Sequence, residues 1–319
     1  MTPLDRRRFL HETAGATVAA LASLPAIAAE SPPVVRGGHP LRLGGPVFNA
    51  PEDPVELARA HRRLGYAAAY CPSLPLHDTA RLQAVEAAFA REGVVLAEVG
   101  RWVNLLDADP ARRRAHLQTV TEGLALADAV GALGCVDIAG SFNPTVWFGP
   151  HPDNLSPRFF DAAVENARKI IDAVKPRRAK FSYEVMGWAL PDSPDHYLKL
   201  ITAVDRRAFA VHLDPCNLVN CPTRFYRNAD LLNECFDKLG RWIVSCHAKD
   251  LTWDVEMNLH FREVRPGAGQ MDYTTYLRRV AALPQRPPVM LEHLANAAEY
   301  DLGRQHLFDL GQRLGLSFA

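Results

Sequence analysis

The sequence predicts an α/β chain closed into one single-domain (β/α)8 barrel, and three observations carry that prediction. Eight short apolar runs alternate with longer amphipathic segments over residues 41–319, a rhythm that builds a parallel sheet. Eight is the strand number that closes such a sheet, and a barrel of this kind needs only about 250 residues. The last four runs each stop on an ionisable side chain, on the end of the strands where these barrels place their chemistry.

In order along the chain, residues 1–29 read as a targeting segment. Arg6-Arg7-Arg8-Phe9-Leu10 fits a twin-arginine signal, the apolar stretch Ala14–Leu24 follows, and Ala26-Ile27-Ala28 offers small residues to a signal peptidase. The apolar stretch is shorter than the ~20 residues of a permanent span. The expectation is therefore a periplasmic or secreted protein, exported folded, without stable membrane insertion. Residues 30–40 hold prolines and glycines and read as a linker to the barrel at 41–319.

The strand candidates are Leu41–Phe48, Tyr66–Tyr70, Val94–Val99, Cys135–Ala139, Lys180–Val185, Ala208–Leu213, Trp242–His247 and Val289–Leu291. Helical patterns lie between them, among them Pro54–Leu64, Thr79–Glu92, Pro110–Ala132, Pro157–Val174 and Pro194–Ala203. Several open on a proline behind a capping residue (Asp53-Pro54, Asp109-Pro110, Ser193-Pro194), a combination suited to a first helical turn. An open doubly wound sheet is the competing arrangement, but no GxGxxG follows the first strand.

Composition narrows the function. Lys plus Arg (36) equals Asp plus Glu (36), so no net field would hold a polyanion, and nucleic acid is not expected as partner. The six cysteines form no CxxC pair, which excludes a zinc ribbon or a thioredoxin-like motif. Cys216 and Cys221 share one loop, where an oxidising compartment would permit a disulfide.

The chemistry concentrates at four strand ends: Ser182-Tyr183-Glu184, His212-Leu213-Asp214-Pro215, Ser245-Cys246-His247-Ala248-Lys249-Asp250, and Met290-Leu291-Glu292-His293. Three carboxylates and an imidazole converging on one point repel unless a cation sits among them. Oxygen donors with one nitrogen suit a single divalent ion, Mn²⁺, Mg²⁺, Co²⁺ or Zn²⁺, and the donor set does not choose among them; Mn²⁺ is the favoured expectation. His212 is expected in the packing, and Glu98 in a polar contact, a helix cap or an ion pair. Aromatic residues near the mouth (Phe142, Trp147, Phe148, Trp188, Phe225, Tyr226) suit the apolar faces of sugars, and local packing explains about half of them equally well.

These pieces resemble the xylose-isomerase-like barrels, a group that includes ketose 3-epimerases, hydroxypyruvate isomerase, inosose dehydratase and, more distantly, the endonuclease IV type of nuclease. The resemblance is carried by Tyr183-Glu184, Asp214-Pro-x-Asn217, His247-x-Lys249-Asp250, Arg262-Glu-Val with Pro266-Gly-Ala-Gly269 and Asp272-Tyr273, and Leu291-Glu292. It implies that Glu184, Asp214, His247 and Glu292 are metal ligands and that Glu184 and Glu292 are the acid/base pair. Substrate contacts are expected from Asn217, Lys249, His260, Arg262 and Trp188. Asn217 stands where some relatives carry a histidine, which weakens a multi-metal, nuclease-like reading.

The implied activity is a metal-dependent isomerase or epimerase acting on a small carbohydrate, a sugar or keto-sugar, through an enediolate. A lyase or dehydratase on a keto-sugar or keto-glycoside, or a non-catalytic sugar-binding barrel, is the alternative. A homo-oligomer is left open.

Overall fold

The computed structural model describes residues 38–319. The targeting segment and most of the linker lie outside the described residues. Eight parallel strands close a barrel in the order β1-β10-β7-β6-β5-β4-β3-β2. They are β1 (Leu43–Gly44), β2 (Ala68–Tyr70), β3 (Val95–Gly100), β4 (Gly134–Asp137), β5 (Lys180–Glu184), β6 (Phe209–Leu213), β7 (Ile243–Ala248) and β10 (Val289–Leu291). Two further strands, β8 (Asp250–Trp253) and β9 (Phe261–Val264), form an antiparallel hairpin after β7. No strand candidate of the sequence covers that stretch.

The helices α1 (Pro54–Arg63), α2 (Thr79–Arg91), α3 (Pro110–Val130), α4 (Pro157–Val174), α5 (Pro194–Val204), α6 (Pro222–Tyr226), α7 (Asn228–Leu239), α8 (Tyr273–Ala281) and α9 (Ala297–Arg313) follow the strands. The expected starts are found. Asp53, Asp109 and Ser193 each accept backbone N–H bonds from the first turn, with proline just behind the cap. Such a cap contributes about 1 kcal/mol. Among the described residues no helix is long and apolar enough to cross a membrane.

Two cores result. The larger lies between barrel and helices: α4 buries Phe159, Ala163, Ala167 and Ile170 along one face, spaced by three or four residues as a helix face requires. Truncating Ile170 to alanine there would cost about 2–5 kcal/mol. The smaller fills the barrel interior with Ala68, Ala97 and Met290. Gly44 allows the seam to close. A Cβ there would lie 2.6 Å from the Ala68 carbonyl and against the Met290 thioether.

Strand alternation sends Phe181, Tyr183, Val211 and Leu213 to the helix side and leaves Ser182, Glu184, His212 and Asp214 for the interior. One strand breaks the alternation. The β2–β3 register skips a residue, pairing Ala69 with Leu96 and Tyr70 with Glu98. Leu96 joins the outer core and Ala97 the inner one, yet Glu98 also faces inward, because a bulge re-aims the side chain after it.

Candidate metal centre at the barrel mouth

Glu184, Asp214, His247 and Glu292 come from β5, the residue after β6, β7 and the residue after β10. Each offers one ligand atom, and these atoms all lie within 4.8 Å of one another. The His247 Nδ1 stands 2.9 Å from Glu292 Oε2, 3.3 Å from Glu184 Oε1 and 3.4 Å from Asp214 Oδ2. All four side chains are buried or nearly so.

Each is held by neighbours. The Trp102 indole N–H donates to Glu184 Oε2 (2.9 Å) and the Asn217 amide donates to Glu184 Oε1 (2.9 Å). The Asp214 Oδ1 accepts from the backbone of Cys216 (3.0 Å) and Asn217 (3.4 Å), leaving Oδ2 aimed into the cluster. On the far side of His247, Nε2 meets Glu98 Oε1 at 3.1 Å. The other Glu98 oxygen lies 3.3 Å from His212 Nδ1, which also contacts the Ser245 hydroxyl at 2.6 Å. A carboxylate behind a ligand histidine fixes which ring nitrogen carries the proton, so the free nitrogen faces the metal position.

Charge decides whether a cation belongs here. Four carboxylates (Glu98, Glu184, Asp214, Glu292) share this buried volume, and Lys249 is the one permanent cation beside them among the described residues. Its ammonium lies 2.6 Å from Asp214 Oδ2 and 2.9 Å from Glu292 Oε2. Even so, neither oxygen accepts a well-directed hydrogen bond, and both are buried. Two orphaned carboxylate oxygens beside an imidazole nitrogen are a donor set that fits a divalent ion.

The titration directions agree. Burial favours neutral His247 and Lys249, but the surrounding carboxylates outweigh it and raise both well above their ordinary values. Burial likewise favours protonated Glu292, but His247 and Lys249 hold its carboxyl down to about 2. The site asks for positive charge.

A cavity of about 470 Å³ opens above this cluster. Glu184, Glu292, Asn217 and Lys249 line its inner end, with Trp102, Ile138, Trp147, Phe148 and Met186 as the apolar wall and Glu263 and His293 also contributing. His293 takes a positive φ of 58°, and its imidazole pairs with Glu263 at 2.9 Å.

Of the expected substrate contacts, Asn217 and Lys249 are brought to the cavity. Trp188 is exposed outside its lining, with its carbonyl accepting from the buried Asn154 amide. His260 and Arg262 are not brought there. Both are exposed on the β8–β9 hairpin, where His260 pairs with Glu256 (3.4 Å) and Arg262 with Asp254 (3.1 Å). The physical reason is alternation on the hairpin: Glu263 of β9 faces the cavity, so its neighbour Arg262 faces away, and His260 lies just before the strand begins.

Other expectations resolve locally. Phe142 packs edge-on against Phe159, and Phe225 stacks on Phe261 at 4.9 Å. Cys216 and Cys221 are both free thiols, and the Cys216 thiol donates to the Lys249 carbonyl. The Pro266–Gly269 turn points its amides at Asp250: the N–H groups of Gly267, Gly269 and Met271 all donate to that carboxylate. It is a structural turn fastened to the start of β8.

A family model described as "Xylose isomerase-like TIM barrel" matches residues 55–310. No curated protein matches the sequence. Among solved structures, the chain is similar to the 3-keto-D-glucoside 4-epimerase of E. coli at 16% identity and a TM-score of 0.60, covering 86% of this chain and 99% of that one. It is similar to the probable 3-DHS dehydratase of Bacillus anthracis at 14% and 0.63, covering 86% and 100%. It is also similar to endonuclease IV of Thermus thermophilus at 14% and 0.61, covering 87% and 100%. At these identities the similarity is one of fold.

Proposed function

The chain belongs to the xylose isomerase-like TIM barrel family, and from that premise we propose that it is a metal-dependent isomerase or epimerase of a sugar or keto-sugar. The observation that carries the reading is the Glu184–Asp214–His247–Glu292 cluster at the inner end of the cavity. These four residues would hold one divalent ion, with Mn²⁺ the first candidate. Bound there, it would supply the Lewis acidity that lowers the pKa of a C–H beside a substrate carbonyl.

The side chains supply the rest. Glu184 and Glu292 come from different strands and both line the cavity, so one, as carboxylate, removes the proton and the other, protonated from solvent, delivers a different proton to the opposite face of the enediolate. Trp102 and Asn217 fix both oxygens of Glu184, which gives that carboxylate one orientation towards the reacting carbon. Asn217 and Lys249 are the substrate-facing donors. Apolar walls exclude water from the carbanionic step. The E. coli relative named a 3-keto-D-glucoside epimerase makes an oxidised sugar the first substrate class to test. Residues 1–29 support a periplasmic or secreted location.

The test is metal content followed by solvent exchange. The protein should carry about one divalent ion per chain, lost in Asp214→Ala and in Glu292→Ala. The loaded protein should then incorporate deuterium from solvent beside the carbonyl of a keto-sugar. Two or three ions per chain would support the nuclease-like reading instead. No ion after reconstitution would remove the mechanism, and a dehydrated product would replace epimerisation with lyase chemistry on the same two glutamates.

A further inference from the structure

The cavity is larger than one sugar ring. Its volume of about 470 Å³ sits within the range of pockets that enclose drug-sized ligands. Trp147 and Phe148, in the loop after β4, form part of its lining. These two rings pack edge to face at 5.1 Å and are still 41% and 44% exposed.

They are displayed by a fastened loop. Asn154, fully buried, donates to the Ser141 hydroxyl and to the Gly149 carbonyl, and Ser141 donates to the same carbonyl at 2.7 Å. Asn143 ties the other side, accepting from the backbone of Thr145 and Val146 and donating to Pro150. Leaving two large aromatic side chains half in water forfeits burial energy, and the pinned backbone keeps them from folding away.

The charges say what the ligand lacks. Glu184, Glu263 and Glu292 line the cavity, its one lysine is already paired with Asp214 and Glu292, and no lining residue is an arginine. A phosphate group would find carboxylates where it needs guanidinium or ammonium donors. Building on the sugar-isomerase reading above, we propose that the substrate is an uncharged keto-glycoside whose aglycone is a second ring. Its reacting sugar lies over the carboxylate cluster, and its second ring stacks on Trp147 and Phe148.

The test is isothermal titration of the Mn²⁺-loaded full chain with methyl β-D-glucoside, phenyl β-D-glucoside, cellobiose and glucose 6-phosphate. At least one of the two-ring compounds should bind about tenfold tighter than methyl glucoside, the order expected of aromatic stacking. Phenyl glucoside and cellobiose separate an aryl second ring from a sugar one. Trp147→Ala and Phe148→Ala should abolish that gain, so that one-ring and two-ring compounds bind alike in both variants, and Trp147→Tyr should restore part of it.

Equal affinity for one-ring and two-ring compounds, tighter binding of the phosphate, or a gain that survives both variants would overturn the two-ring proposal alone. So would a dimer that dissociates in Trp147→Ala, since the rings would then be covered by a second copy. Failure of all four compounds to bind while Mn²⁺ binds and a keto-sugar exchanges deuterium would overturn the two-ring proposal alone, and failure of that exchange as well would overturn the sugar reading itself.

Discussion

Strands β5, β6, β7 and β10 end in Glu184, Asp214, His247 and Glu292, four ionisable groups aimed at one point. On the opposite side of the mouth, β3 and β4 are followed by Trp102, Ile138, Trp147 and Phe148, the apolar wall of the same cavity. One side gathers charge and the other excludes water. The two are joined underneath by Glu98, a carboxylate from β3 that reaches His247 and His212 across the barrel. The contrast suggests that reaction and recognition are divided between two arcs of strands, with a buried carboxylate coupling them.

The largest expected effect comes from cutting that coupling. Glu98→Gln keeps the shape and the acceptor oxygen but removes the charge behind His247. Divalent-ion affinity should fall by 10–100-fold, about 1.4–2.8 kcal/mol, measured by Mn²⁺ titration of protein whose circular dichroism is unchanged. Unaltered affinity would mean that the charged arc assembles its site without help, and the division between arcs would be complete.

A smaller effect sharpens the contrast within the apolar arc. Asp137, at the end of β4, is as buried as Glu98 but has no cation beside it. Its Oδ1 accepts from the Val103 N–H at 2.9 Å and its Oδ2 has no partner. Burial therefore raises the Asp137 carboxyl well above its ordinary value, whereas the two imidazoles outweigh burial and lower Glu98. A raised folded-state value means the folded chain keeps a proton the unfolded chain releases. Stability from this group is present below the unfolded pKa near 4 and falls as pH rises towards the folded value. Asp137→Asn should raise the melting temperature at pH 8, by an amount corresponding to about 1 kcal/mol, the lower end of the penalty for a buried unpaired group, and the gain should shrink towards pH 4. A variant less stable at every pH would show that Oδ2 has a partner the carboxylate needs.

The difference between Glu98 and Asp137 also marks where sequence stopped being informative. Eight strands and the Glu184–Asp214–His247–Glu292 set were legible, because hydrophobic runs end abruptly at charged residues and alternation survives to the strand end. The inward turn of Glu98 was not, since regular alternation would have sent it to the same side as Leu96. Only the bulge reverses that, and no local signal marks it. Trp102 was invisible for a related reason. It stands beyond the end of β3, and its bond to Glu184 spans 82 residues. His260 and Arg262 were displaced in turn by the β8–β9 hairpin.

Those two residues give the smallest expected effect. Arg262 and His260 are exposed, each with an acidic partner on its own hairpin, and exposed ion pairs contribute little. Arg262→Ala and His260→Ala should change stability by no more than about 0.5 kcal/mol. Turnover of a keto-sugar, where found, should stay within about twofold of wild type. The measurement is kcat/KM for each variant beside its thermal melt. A loss of tenfold or more with an unchanged melt would mean that the hairpin bends over the cavity during the reaction. A third region would then supply substrate contacts, and the two-arc division would describe only the resting molecule.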